Sequence, residues 1–447
     1  ATQPVGSVFI LNGISRPAGY VYSNINLLLL NTDVGFRIDQ DSDSTNFGKS
    51  VAGLGDVNND GFEDFAIGAP TSDGPGPGTI NVGTCYIVFG SATTTTALTK
   101  VRYHGIMSDA QMGNVVSSAG DLNGDGINDF AFGAPFYDSN KGMVFIGFGK
   151  QTAASSWVAV NLALSVPLDC VLRVGEVGSR LGISLAAVGD VDGDDFDDLL
   201  VGAPRYGING NVCGAAFVIQ GHADSFGWSS GAVITTDPSF AMYGSAAESY
   251  TGLTVSRTGD VNGDGINDFL VGAPRESDVG GVRAQTGAVY LVFGRNKTVL
   301  PISNYFFDNS VQGDDTMVRF VGAKPLDMLG FSLTGAGDLN GDGIPDFVLG
   351  NPGADVEAVY VVWGSNNFLR NPTAAPTAHP TFTPTTIPTL YPKIEQSNNV
   401  QGNVALFNQS IDRGFKIYGA HSADRLGNEV NTIGDFNGDG VDDFIVL

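Results

Sequence analysis

Residues 121–135 read DLNGDGINDFAFGAP. Oxygen-bearing side chains stand at the first, third, fifth and ninth places of this stretch, as Asp121, Asn123, Asp125 and Asp129, and Gly126 holds the sixth. An apolar run follows and stops at Gly-Ala-Pro, residues 133–135. The same loop recurs at Asp56, Asn58, Asp60 and Asp64, at Asp190, Asp192, Asp194 and Asp198, and at Asp260, Asn262, Asp264 and Asp268. Two further copies carry Asp338, Asn340, Asp342 and Asp346, and Asp435, Asn437, Asp439 and Asp443. Start-to-start spacings are 65, 69, 70, 78 and 97 residues. Periodicity on this scale is the mark of a repeat architecture, one supersecondary unit per copy.

The flanks repeat with the loop. A small-residue strand precedes it, as at Phe47-Gly48, Leu181-Gly182 and Leu329-Gly330, and the strand after it ends at Pro70, Pro135, Pro204, Pro274 or, as Gly-Asn-Pro, at Pro352. A third strand reads Cys85 to Gly90, Val144 to Gly149, Val289 to Gly294 and Val359 to Gly364. A fourth, more variable strand ends apolar-Gly, as at Phe320-Val321-Gly322 and Ile417-Tyr418-Gly419. Four short strands per unit, punctuated by Gly and Pro, predict the blades of an all-β β-propeller.

Side chains 1, 3 and 5 put three oxygens on one side of a tight loop, and position 9 returns a fourth. A backbone carbonyl near position 7 and a water bring the set to the six to eight oxygens that Ca²⁺ takes; Mg²⁺ keeps more water and demands octahedral geometry. Glycine at position 6 permits the sharp turn through positive φ. An EF-hand needs Glu at position 12, where these loops have Ile67, Phe132, Val201, Val271, Leu349 and Val446. The loop therefore joins two strands. The third copy has Asp195 where the others have Gly, and Asp192 gives it an extra carboxylate.

The Phe-Gly and Gly-Ala-Pro units around D-x-[DN]-x-D-G-x-x-D loops resemble FG-GAP repeats, the units of the integrin α-subunit β-propeller. The resemblance runs over nearly the whole chain apart from one insertion. It implies structural Ca²⁺, up to six ions, each clamping the hairpin between the first two strands of its blade. The sixth unit stops at Phe444 to Leu447 after two strands, while Ser7 to Gly13 matches a third strand and Val34 to Asp39 a fourth. Pairing of the N- and C-terminal strands would seal a six-bladed ring and remove its open edge. Integrin-type propellers have seven blades, which a chain continuing past Leu447 would supply.

Composition agrees with short strands and many turns. Of 447 residues, 62 are Gly, twice the usual share of about 7%. The formal charge is −25, from 47 acids against 22 Lys and Arg, which argues against nucleic acid or anionic lipid as a partner. The six loops hold nineteen of those acids, leaving 28 against 22, and six Ca²⁺ would bring the total to −13. No apolar stretch, Leu27 to Leu30 among them, approaches the roughly 18 or more residues of a membrane span, so no membrane insertion is expected. The chain begins at Ala1 without a signal-like stretch, as a processed product or one started internally would. Cys85, Cys170 and Cys213 show no C-x-x-C spacing; one disulfide with a free thiol, or three buried thiols, both stay open.

Catalytic signals are absent. Ser50, Ser184 and Ser332 follow the Phe-Gly phase, where other copies have Val115, Thr254 and Glu429, and none lies in G-x-S-x-G. His104, His222, His379 and His421 share no spacing, and no Walker or dinucleotide loop occurs. Asn296 and Asn408 head N-glycosylation triplets. Between repeats five and six, Pro372, Pro376, Pro380, Pro384, Pro388 and Pro392 recur every fourth residue, with Thr373, Thr377, Thr381, Thr385 and Thr389 after the first five. This segment favours extended polyproline II with a reach of roughly 65 Å, and it resembles mucin-like stretches whose threonines carry O-linked sugars.

The sequence thus divides into residues 1–370 (repeats one to five plus the N-terminal closing strands), a Pro/Thr linker at 371–392, and a sixth repeat at 393–447. The expected role is extracellular and non-enzymatic. It is either structural or adhesive, including glycosylated filaments in which 393–447 completes a neighbour's ring, or that of an integrin-like ligand-binding receptor head. The corresponding partners are a second copy of the chain or another extracellular protein.

Overall fold

The computed structural model describes residues 6–11, 35–39, 46–91, 99–154, 157, 160–161, 170–208, 210–223, 240–277, 285–296, 305–307, 316–353, 358–365, 404–405, 414–418, 430–434 and 443–446. The Pro/Thr segment and its threonines, Asn408, His379, His421 and Asp435, Asn437 and Asp439 lie outside the described residues. Nearly all the described regular structure is β, as the repeat predicts. The chain divides into two compact units, Ala1–Asp190 with Asp194–Tyr243 and Ile302–Tyr305, and Val191–Gly193 with Gly244–Pro301 and Phe306–Leu447.

The first unit holds three antiparallel four-stranded blades. The first runs Ser50–Gly55, Asp64–Ala69, Thr84–Val88 and Lys100–His104, each strand bonded to the next. The second is Val115–Gly120, Asp129–Gly133, Met143–Gly147 and Cys170–Arg173. The third is Ser184–Gly189, Asp198–Ala203, Ala215–Ile219 and Phe240–Gly244. A hairpin of Ser7–Leu11 with Gly35–Asp39 lies against the first blade, Val8 and Ile38 packing on Phe47, Ile67, Tyr86 and Val88.

The second unit holds Thr254–Gly259, Asp268–Ala273, Ala288–Val292 and Met317–Val321 as one blade. Its other blade is Leu333–Gly337, Asp346–Asn351, Ala358–Val362 and Gly414–Tyr418. The Pro/Thr segment thus falls between the third and fourth strands of the fifth blade, with Ala358 opposite Tyr418 and Val362 opposite Gly414. Val430–Gly434 pairs with Asp443–Val446 as a further hairpin.

Packing explains which residues go where. The middle strands are buried on both faces, as in Thr84–Val88 and Asp198–Ala203, and the first two blades share one apolar cluster. Phe130, Phe132 and Tyr103 mesh between the first and second blades with ring centroids 5.2–5.9 Å apart. Leu291, Phe320 and Phe347 fill the corresponding layer of the second unit. Buried side chains of this size each contribute on the order of 1.5–3 kcal/mol.

The Phe-Gly and Gly-Ala-Pro glycines meet each other. The N–H of Gly113 donates to the Gly133 carbonyl at 3.0 Å, Gly182 to Gly202 at 2.9 Å and Gly252 to Gly272 at 2.9 Å. A Cβ on Gly68 would lie 2.1 Å from the Gly113 carbonyl oxygen of the next blade, so the bare backbone sets the spacing between blades. Ser50, set aside above as a nucleophile, donates its hydroxyl to that Gly113 oxygen at 2.9 Å, and Thr254 does the same to Gly330 at 2.7 Å. Cys85 and Cys213 are buried.

Candidate metal centre

Each acidic loop closes a hairpin at a glycine bulge. Gly55, Gly120, Gly189, Gly259 and Gly337 stand opposite Asp64, Asp129, Asp198, Asp268 and Asp346, with the register shifting just before the glycine. All five take positive φ, from 67° to 79°, the left-handed geometry of a bulge that turns the strand sharply. The glycine before position 1 is thus part of the site, a signal present in every copy.

Inside the loop the backbone curls around the position-1 carboxylate. In the second loop the Asp125 N–H donates to Asp121 Oδ1 and Asn123 Oδ1, both at 3.0 Å, Gly126 to Asp121 Oδ2 at 2.8 Å and Ile127 to Asp125 Oδ1 at 2.9 Å. Asp56, Asn58 and Asp60 repeat this pattern, as do Asp260, Asn262 and Asp264, and Asp338, Asn340 and Asp342. Gly61, Gly126, Gly265 and Gly343 adopt φ of 83–92°, with nothing within 4 Å of an added Cβ. Glycine is there for conformation, not room. Asp195 takes the same turn at φ 70°, so the departure in the third loop keeps the geometry.

Position 9 has a second task. Asp129 is buried, and it accepts the Leu122 N–H on Oδ2 and the Gly149 N–H on Oδ1, both at 2.8 Å. Asp64 does so with Val57 and Gly90, Asp268 with Val261 and Gly294, and Asp346 with Leu339 and Gly364. These carboxylates tie the loop to the end of the third strand. Burial pushes their pKa up, against the two amide bonds and with help from the loop's other aspartates: Asp64 to about 6, Asp346 to about 7, Asp129 and Asp268 to about 8.

The donor set fits a hard divalent cation. In the third loop Asp190, Asp192 and Asp194 each place a carboxylate oxygen within 4.8 Å of the others, the span across one ion with metal–oxygen distances of about 2.3–2.6 Å. Among the described residues this is the one group of three acidic, His or Cys side chains so spaced, the other loops having Asn at position 3. Position 9 is not a member; its oxygens are engaged with backbone amides, and any ligation by it is additional. Of the sixth loop only the backbone of Asp443 is described, paired with Gly434. Asn296 is exposed just beyond the third strand of the fourth blade.

Loop and fold together define the class. The chain is an FG-GAP repeat protein with the blades of a β-propeller, the FG-GAP family matching residues 47–81, 112–146, 181–218, 253–292 and 330–362. It is integrin α-like: it is 30% identical over 243 residues to integrin alpha-PS2 of Drosophila melanogaster, covering 53% of this chain and 15% of that one. It is 31% identical over 246 residues to integrin alpha ina-1 of Caenorhabditis elegans, covering 51% and 19%, and 28% identical over 256 residues to integrin alpha-V of Gallus gallus, covering 56% and 21%. The alignments thus span about half of this chain and about a fifth or less of each relative. The family match takes in five of the six loops and leaves out the one at 435–443.

Proposed function

We propose that this chain is an extracellular, calcium-stabilised β-propeller that works in adhesion by presenting its inter-strand loops to a protein ligand, without catalysis. The observation that carries the reading is the loop geometry: in five described copies the backbone turns around the position-1 carboxylate and the position-9 carboxylate bonds a backbone amide past the third strand, and in the third copy three carboxylate oxygens converge. The similarity to integrin α subunits supports cell-surface adhesion and a divalent cation. Up to six Ca²⁺ would occupy the loops, when bound supplying the positive charge that offsets converging carboxylates. The N- and C-terminal hairpins would complete a sixth blade; the alternative is seven blades, if the natural chain continues. Asn296, Asn408 and the Pro/Thr threonines are the glycan acceptors of this reading. No helix among the described residues is long and apolar enough to cross a membrane. The test is attachment of cells to beads coated with the purified chain. Attachment that needs Ca²⁺ and is lost in EDTA is expected; attachment no greater than to albumin-coated beads contradicts an adhesive role.

One observation favours self-assembly as a second reading. The fourth strand of the fifth blade, Gly414–Tyr418, is separated from its partner strand Ala358–Val362 by the whole Pro/Thr segment. A strand on so long a connection can pair with its own blade or with the same edge of another copy, and head-to-tail repetition of that exchange makes a filament. Electron microscopy of concentrated protein distinguishes them: filaments support exchange, and monodisperse single particles at every concentration refute it.

A further inference from the structure

Resting on the calcium reading, we infer that the second and third loops bind their ions as a coupled pair, with Asp197 as the residue that links them. Asp197 occupies position 8 of the third loop, outside the ligand set, and its side chain reaches the loop of the preceding blade. The Asp121 N–H donates to Asp197 Oδ2 at 2.8 Å, and the Asp197 N–H donates back to the Asp121 carbonyl at 3.2 Å. Asp121 is position 1 of the second loop, the carboxylate around which that loop curls.

The contact is built on both sides. A Cβ on Gly120 would lie 2.3 Å from Asp197 Oδ2, and one on Gly124 would lie 2.3 Å from Cε1 of Phe196. Both glycines take positive φ, 73° and 70°. The third blade also holds position 2 of the second loop, through the His222 N–H to the Leu122 carbonyl at 2.9 Å. At the equivalent place in other loops the chemistry differs. Asn128 turns its amide nitrogen toward Gly55, and Pro345 lays its ring over Gly259. Among these described junctions the one between the second and third loops carries the carboxylate.

The consequence follows from what an ion does to a loop. An ion at Asp190 and Asp194 fixes residues 190–198, and with them the Asp197 carboxylate; that carboxylate fixes the Asp121 backbone, so the second loop has less ordering left to undergo when it binds. The linkage is reciprocal, since each ion lowers the ordering cost met by the other. A charge-assisted bond carries it better than a neutral one, being roughly twice as strong. Asp197 is here a positioning residue, not a ligand.

The test is hydrogen exchange by mass spectrometry on the full chain in saturating Ca²⁺, following peptides covering 119–128 and 54–63. Disabling the third loop with Asp190→Asn and Asp194→Asn is expected to speed exchange across 119–128 about fivefold and to leave 54–63 unchanged. With Asp197→Ser already present, the same pair of substitutions is expected to add nothing further at 119–128. Should Asp197→Ser fail to fold, Asp197→Asn keeps an acceptor oxygen and loses the charge, and it is expected to cut the response at least twofold. Exchange at 119–128 that ignores the third loop overturns the coupling, as does a response undiminished by the Asp197 variants. If Ca²⁺ protects no loop of the unaltered chain relative to EDTA, the calcium reading falls, and the coupling with it.

Discussion

At the residue scale, two kinds of aspartate share each loop and have separable jobs. Asp125 is a candidate ligand that also turns the loop, whereas buried Asp129 receives two backbone N–H groups from different parts of the blade. Leaving a buried donor unsatisfied costs about 1–3 kcal/mol. Asp129→Ala is therefore expected to lower stability by roughly 2–5 kcal/mol in chelator as well as in Ca²⁺, while Asp125→Asn lowers it in Ca²⁺ and scarcely in chelator. Urea unfolding of both variants in the two conditions checks this. Position 9 was legible in the sequence as an oxygen at fixed spacing. Its buried, backbone-bonded role was not, because the partners, Gly149 and its equivalents, lie just past the end of the third strand, 18 to 26 residues away.

Asp195 makes the same point for conformation. An L-residue at φ 70° is strained where its sister loops have glycine, and Asp195→Gly is expected to stabilise the chain by about 0.5–1 kcal/mol. A lowered urea midpoint would contradict this. The sequence marked the position as the odd one out, and the structure shows the turn retained.

At the scale of the element, the loop and its hairpin behave as a small acid store when no metal is present. Unfolded, the position-9 carboxyls titrate near 3.8; folded and metal-free, they titrate at about 6 to 8. Between those values the folded state holds more protons, so the stability of the metal-free chain falls as pH rises from about 4 to about 8. Thermal unfolding in EDTA across that range measures it; stability rising with pH would contradict the assignment. The strands themselves were readable, since Gly-Ala-Pro and the apolar triplets mark where each ends. The fourth strand was harder. Gly414–Tyr418 was visible as a strand, but its membership of the fifth blade depends on pairing across the Pro/Thr segment, which local pattern does not encode. The bulge glycines, Gly55 to Gly337, were also present in every copy, and their meaning appears only in the register shift opposite position 9.

At the scale of the whole molecule, the charge balance and the architecture have one explanation. Nineteen of the 47 acids stand at the four oxygen positions of the six loops, so most of the net −25 is gathered in these short stretches. Converging carboxylates repel one another until a cation arrives, and each ion bound to the folded form alone adds about 2.7 kcal/mol at a concentration a hundred times its dissociation constant. A propeller with several such clamps should therefore hold much of its stability in its metal.

Calorimetric unfolding of the purified chain in millimolar Ca²⁺ and in excess EDTA measures this directly. The account predicts a Tm more than about 10 °C higher with Ca²⁺, from several sites at a few degrees per kcal/mol. The same Tm in both conditions would contradict it.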